Sequence, residues 1–145
     1  MSSLPDQYIA AGDPKTQAND LRHHAKHEHH LVRLRAAEHP KSPEDVLEHL
    51  SLDEHPEIRI AVAEHPDTPE EILRALIKDP DMDVRYALAE NPALPAAILE
   101  TLAQDDNPYV SFRAQKTLNI LEMQGAPCLA SAENGPSRCN SMHAY

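Results

Sequence analysis

IRIAVAEHPDTPEEILRALIKDPDMD, residues 58–83, is one copy of a 26-residue block that recurs along this chain without insertion. Val32-Arg33, Ile58-Arg59, Val84-Arg85 and Val110-Ser111 mark the interval. Between them Pro40, Pro66 and Pro92, Pro43, Pro69 and Pro95, Leu47, Leu73 and Leu99, and Leu50, Leu76 and Leu102 keep register. A fixed period of this length predicts a solenoid, in which each unit buries its apolar face only against its neighbours. The fold class expected is therefore all-α, built of short paired helices.

Within the quoted copy, Ile58, Ala61 and Val62 recur at helical spacing and give a short segment with one apolar face. Ala37, Ala63 and Ala89 share one register position, where two backbones approach closely. The helix is expected to end near Glu64, because Pro66 disfavours helical geometry at the residue before it. Thr68-Pro69-Glu70-Glu71 and Ser42-Pro43-Glu44-Asp45 read as a capping hydroxyl, a proline at the first helical position, and carboxylates facing the positive end of the helix dipole. Leu94-Pro95-Ala96-Ala97 lacks the hydroxyl, so that helix is expected to fray. Ile72, Leu73 and Leu76 bury the second helix, and Asp79-Pro80 closes the unit.

Pro14, Ala10, Ala11 and Leu21 match Pro40, Ala36, Ala37 and Leu47, so residues 8–31 read as a degenerate first unit. Repeats follow at 32–57, 58–83 and 84–109, with a partial unit at 110–121 in which Phe112 takes the place of Ile60 and Tyr86. There Lys116-Thr117-Leu118 replaces Glu-His-Pro, which lets the helix run on toward Met123. Residues 1–7 read as an N-terminal arm ahead of the 8–121 repeat domain. Residues 122–145, with Gly125, Pro127, Gly135 and Pro136, read as a flexible tail.

The chain has 145 residues, no Trp and 3% aromatics, so Ala, Leu, Ile and Val must fill the core. A formal charge of −11 argues against nucleic acid and anionic membranes as partners. No secretion signal or membrane-length apolar run is read, and Cys128 and Cys139 both lie beyond the repeats. A cytoplasmic setting is expected.

Arg33, Arg59 and Arg85 would stack as a column one unit apart. One reading is a basic stripe for phosphate or an acidic peptide. The other is a structural ladder, each Arg meeting the acid six positions earlier: Asp53 with Arg59, Asp79 with Arg85. The recurring acids favour the ladder, and Ser111 ends it. His23, His24, His27, His29 and His30 crowd into eight residues. In a continuous helix His23, His27 and His30 would share a face able to hold zinc, nickel or copper, although no cysteine or distant histidine completes a closed site. His24 aligns with core Leu50 and Leu76, which suits a solvated capping segment. His39 and His65, with Asn91 in the third copy, are read as helix-end residues. With three glycines in the chain, a phosphate-cradling loop within the repeats is excluded, and no nucleophile constellation is present.

The pattern Val-Arg-x-x-x-Ala-x-x-Pro-x-x-Pro-x-x-x-Leu-x-x-Leu, clearest from Ile58-Arg59 to Asp79 and from Val84-Arg85 to Asp105, resembles the leucine-rich repeat variant family. The resemblance implies a right-handed superhelix of alternating α and 3₁₀ helices, akin to HEAT and armadillo stacks. Some members carry a cysteine-ligated iron–sulfur module, which nothing before Cys128 matches. No common enzymatic activity comes with the family; its repeats are read as interaction scaffolds. The expectation is thus a non-enzymatic scaffold whose partner is another protein or peptide, of basic character given the acidic charge. No cofactor is expected. The alternative is a metal-binding or metal-responsive protein that uses the histidines of residues 23–30 to hold a divalent transition metal.

Overall fold

A computed structural model describes residues 3–125. Nine helices follow one another among them, without a strand: α1 Leu4–Ala11, α2 Ala18–His24, α3 His30–Glu38, α4 Glu44–Leu50, α5 Pro56–Glu64, α6 Glu70–Leu76, α7 Met82–Glu90, α8 Ala96–Leu102 and α9 Pro108–Met123. The odd-numbered helices pack side by side in one row, α1 on α3, α3 on α5, α5 on α7, α7 on α9. Each even-numbered helix folds back onto the odd helices on either side of it. The chain is a helical repeat solenoid with a spacing of about 26 residues.

The odd helices begin at 4, 30, 56, 82 and 108, so the helical frame starts two residues before the Val-Arg landmark. The reason lies in the N-caps. Asp81 and Asn107 each accept the backbone N–H two residues on, and His29 does the same through its ring. Pro56 and Pro108 then occupy the first helical position, where a missing N–H costs nothing. The same register places residues 4–7 inside α1 rather than in an arm. There Ser3 and Asp6 form a reciprocal capping box, and Pro5 stands in the first turn. The last unit runs on as expected, with α9 reaching Met123. Of the expected tail, residues 126–145, including Cys128 and Cys139, lie outside the described residues.

The second helix of each unit is a seven-residue α-helix, not the 3₁₀ helix that the resemblance implied. Bonds of the tighter i→i−3 kind close helices instead, as from His39 N–H to Ala36 and from His65 N–H to Val62. The core runs continuously from Leu21 and Ala25 to Val110 and Ala114. Leu47, Leu50, Ile58, Leu88, Leu99 and Leu102 are its largest wholly enclosed members in the middle units. Ala37, Ala63 and Ala89 are buried and keep neighbouring helices close, so the interior is filled without large rings.

The Ser-Pro and Thr-Pro turns work differently from the capping expected of them. Pro43, Pro69 and Pro95 are themselves the N-caps of α4, α6 and α8, in extended geometry and without a side-chain bond. The hydroxyls point back: Thr68 Oγ1 donates to the Val62 carbonyl at 2.6 Å, and Ser42 Oγ to that of Ala36. They add a second bond to carbonyls in the last turn of the preceding helix, which already accept the His39 and His65 N–H groups. Leu94 takes that place in the next unit and is buried, and α8 spans the same seven residues as α4 and α6.

Candidate protein-interaction face

The column of arginines is turned inward. Arg59 Nε and Nη2 donate to the two oxygens of Asp79, at 2.7 and 3.0 Å. Arg33 grips Asp53 in the same bidentate way, at 2.7 and 3.3 Å, and Arg85 grips Asp105, at 2.8 and 3.3 Å. The acid thus stands 20 positions ahead of its arginine, in the loop that opens the next unit, and not six positions behind. The residue six behind contributes its backbone: Arg59 Nη1 donates to the Asp53 carbonyl and Arg85 Nη1 to that of Asp79, each at 2.7 Å. Arg33 Nη1 reaches the His27 carbonyl at 2.8 Å. A rigid fork of five donors lets each arginine hold two successive loops at once.

Each acid also caps the loop it sits in, since Asp53, Asp79 and Asp105 accept the N–H of His55, Asp81 and Asn107. Burial works hardest on the Asp53 carboxyl and raises its pKa. The Arg33 fork and the His55 N–H outweigh it and hold the group below the usual carboxylate range. Asp105 is held low by the same balance, with Arg85 and the Asn107 N–H against burial. The Arg59 side chain is 12% exposed and that of Asp79 5%. At such depth the column has no guanidinium to spare for a phosphate.

A second ladder runs through His39 and His65. Each ring accepts a backbone N–H on Nδ1, from Lys41 and Asp67, at 3.1 Å. Each ring therefore carries its proton on Nε2 and donates it one unit back, His39 to the Asp13 carbonyl at 2.8 Å and His65 to the His39 carbonyl at 2.9 Å. Asn91 keeps the local bond, accepting the Ala93 N–H at 2.9 Å. These are helix-end residues, as read, with a cross-unit role that the local sequence gives no sign of.

With those polar columns spent on structure, a different pattern stands on the other side of the odd helices. Tyr8, Leu34, Ile60, Tyr86 and Phe112 share one register position and form an apolar stripe crossing all five odd helices. Leu34, Ile60 and Tyr86 rest on the core with part of each side chain open, while Phe112 is 72% exposed. Carboxylates border the stripe at two further register positions: Glu57 and Asp83 on one side, Glu38, Glu64 and Glu90 on the other. Between α3 and α5 the stripe deepens into an open groove of about 490 Å³, floored by Leu34, Ile60 and Ala61 and edged by Pro40 and Pro66. A smaller groove of about 230 Å³ follows between α5 and α7, against Ala87, and Glu64 lines both.

The sequence model for leucine rich repeat variant matches residues 56–81 and 82–107. Residues 56–107 are leucine rich repeat variant repeats. The two matched blocks begin at the first residues of α5 and α7, so the family's unit and the helical frame coincide. No curated protein and no solved structure matched the chain.

Against a leucine rich repeat variant unit, the histidine-rich segment reads as the same parts with other side chains. α2 ends at His24 and Ala25 closes it, so the continuous helix needed to align His23, His27 and His30 is not formed. His23 sits in the last turn of α2, His27 in the loop, and His30 opens α3. His27 stands at the register of Asp53, and its Nδ1 accepts the His29 N–H at 3.0 Å, as the ladder acids do. The His30 ring stacks on His55 at 4.7 Å and on His29 at 5.0 Å. His24 fills the site of Leu50 and Leu76 at 9% exposure, with Nδ1 lacking a partner. Burial, then the adjacent His23, lowers its pKa. Among the described residues no group of three or more His, Cys, Asp or Glu side chains is placed to hold a metal ion. No helix among them is long and apolar enough to cross a membrane.

Proposed function

We propose that this protein is a non-enzymatic scaffold that binds another protein, of basic character, through the outward side of its odd helix row. The observation that carries this is the apolar stripe from Tyr8 to Phe112. It keeps register across the whole stack although the fold does not bury it. Side chains that pack a core recur because neighbours enclose them; a partly open position that stays apolar in five units calls for a partner's surface. The acidic borders and the charge of −11 favour a cationic partner and disfavour nucleic acid. The leucine rich repeat variant match supports an interaction role by family analogy.

Placing a photo-crosslinking residue at Ile60, and separately at Leu52, which is 84% exposed at the end of α4, tests the reading in cells. A discrete protein adduct is expected from Ile60 and not from Leu52. Equal, diffuse labelling from both positions would sink the assignment of this face.

A further inference from the structure

Resting on that reading, we propose that the two grooves flanking α5, one against α3 and one against α7, take an extended peptide segment in which Lys or Arg recurs every third residue beside an apolar side chain of Leu or Ile size. The argument starts from which carboxylates are available. Glu38 meets Arg35 at 3.4 Å and Glu90 meets Arg113 at 3.4 Å, both at the edges of the groove. Glu57, Glu64 and Asp83 stand between them, exposed, and have no cationic partner among the described residues. Three carboxylates left open beside a partly open apolar floor complement a ligand that carries cations and an apolar side chain together. An aliphatic side chain fits the 490 Å³ groove over Ile60, and a flanking ammonium or guanidinium reaches Glu57 and Glu64.

The spacing follows from the architecture. Packed helices lie about 8–10 Å apart. An extended, polyproline-like chain advances about 3.1 Å per residue, so about three residues carry it from one helix to the next. Like side chains at i and i+3 would therefore meet like positions on successive units, Glu57 then Asp83.

The ends of the site are marked by one register position. Ala61 and Ala87 open the floor of the two central units, whereas Arg35 and Arg113 occupy that position in the flanking ones. A cationic segment is attracted to the middle and repelled at both ends. The window spans two units, which a segment of about seven residues covers at that rise.

The test uses the full chain and synthetic heptapeptides, with fluorescence anisotropy as the readout. The probe carries Lys at positions 1, 4 and 7 and Leu at position 3. A control of the same composition groups the three Lys together, and a third peptide carries Glu in place of Lys. The spaced peptide is expected to bind at least about fivefold more tightly than the grouped one. Glu57→Gln and Glu64→Gln, on exposed side chains, are each expected to weaken it by about fivefold with an unchanged melting temperature. Equal binding of spaced and grouped peptides would mean attraction to net charge alone and overturns the proposal. Insensitivity to both Gln variants, or preference for the Glu peptide, overturns it as well. If the peptide tests fail while the Ile60 adduct persists, the scaffold reading stands and this ligand is wrong. If the adduct fails too, both readings fall.

Discussion

The unit that opens the stack and the unit built on α5 and α6 have the same backbone plan and different chemistry. In the middle unit Arg59 holds Asp79 in a buried bidentate pair, Leu76 closes the core, and His65 bonds back one unit. In the first unit Gln7 and His27 stand where arginine and acid would be, and His24 stands where leucine would be. Its ion pair to the next unit, Arg22 with Asp45, lies on the surface, with side chains 45% and 56% exposed. Yet α1 and α2 form and pack. Leu21, small residues such as Ala11 and Ala25, and the turns are therefore sufficient for the helical plan, while the ladder and the full apolar core appear only where a unit has neighbours on both sides.

The sharpest way to break this contrast is Arg59→Ala. It leaves the Asp79 carboxylate buried without its cation and strips the Asp53 carbonyl of a donor. Losing one partner of a buried pair costs about 3–5 kcal/mol. A large drop in the melting temperature is expected, and Arg85→Ala should behave alike. A loss of less than 1 kcal/mol in urea titration would show that the ladder is decorative. The same acids set a limit at low pH. Asp53 and Asp105 have folded pKa values below the unfolded one, so their contribution is complete above about pH 4 and is lost as pH falls through the folded values. Melting curves from pH 6 to pH 3 should fall away below about pH 4, and a flat profile would contradict the pairing.

His24→Leu runs in the opposite direction, turning the first unit toward the middle one. It removes a buried ring with an unpartnered Nδ1 and restores the leucine of that register. A gain of about 2 kcal/mol is expected. It should grow as pH is lowered from 7.5 to 5.5. His24 has its folded pKa below 6.5, so the unfolded chain binds the proton more readily and acid destabilises the wild type alone. Chemical denaturation at the two pH values checks this; a gain of equal size at both would remove the titration of His24 from the explanation.

What could be read beforehand divides along the same line. The period, the helix end at Glu64 ahead of Pro66 and the buried Leu47, Leu73 and Leu99 follow from local rules, which hold whatever the neighbouring unit does. The arginine partners were legible by type and not by address. An acid six residues back and one 20 residues on both lie in a loop beside the same helix, and only the direction of stacking selects between them. The direction of the Thr68 hydroxyl is ambiguous for a related reason: the carbonyl it bonds and the helix it precedes are equally near in sequence. The stripe leaves a partial signal in the sequence, because Ile60, Tyr86 and Phe112 share a register. Helical periodicity assigns such a position to an apolar face without saying which face the next helix covers.

Removing one cross-unit hydrogen bond should have a moderate effect. His65→Asn copies Asn91, keeping an acceptor for the Asp67 N–H while losing the donor to the His39 carbonyl. Thr68→Val likewise strips the Val62 carbonyl of its hydroxyl. Each should cost about 1 kcal/mol. The two together should be near additive if the bonds act separately, and a double-mutant cycle in urea measures any coupling.

The smallest effect is expected from Arg22→Ala, and it decides how the comparison is understood. Arg22 and Asp45 copy the geometry of the buried ladder, with Nε and Nη2 on the two carboxylate oxygens at 2.7 and 3.2 Å. If geometry alone set the strength of such a pair, this variant would match Arg59→Ala. Water solvates both partners here, so the charge left behind is not stranded and the loss should be small beside that of Arg59→Ala. It should also shrink in high salt, because an exposed pair is screened while the Arg59 pair is not. Urea titrations of the two variants at low and high salt give the ratio directly. A loss at Arg22 as large as that at Arg59 would mean that the first unit is held as firmly as the middle, and burial would cease to explain the difference between them.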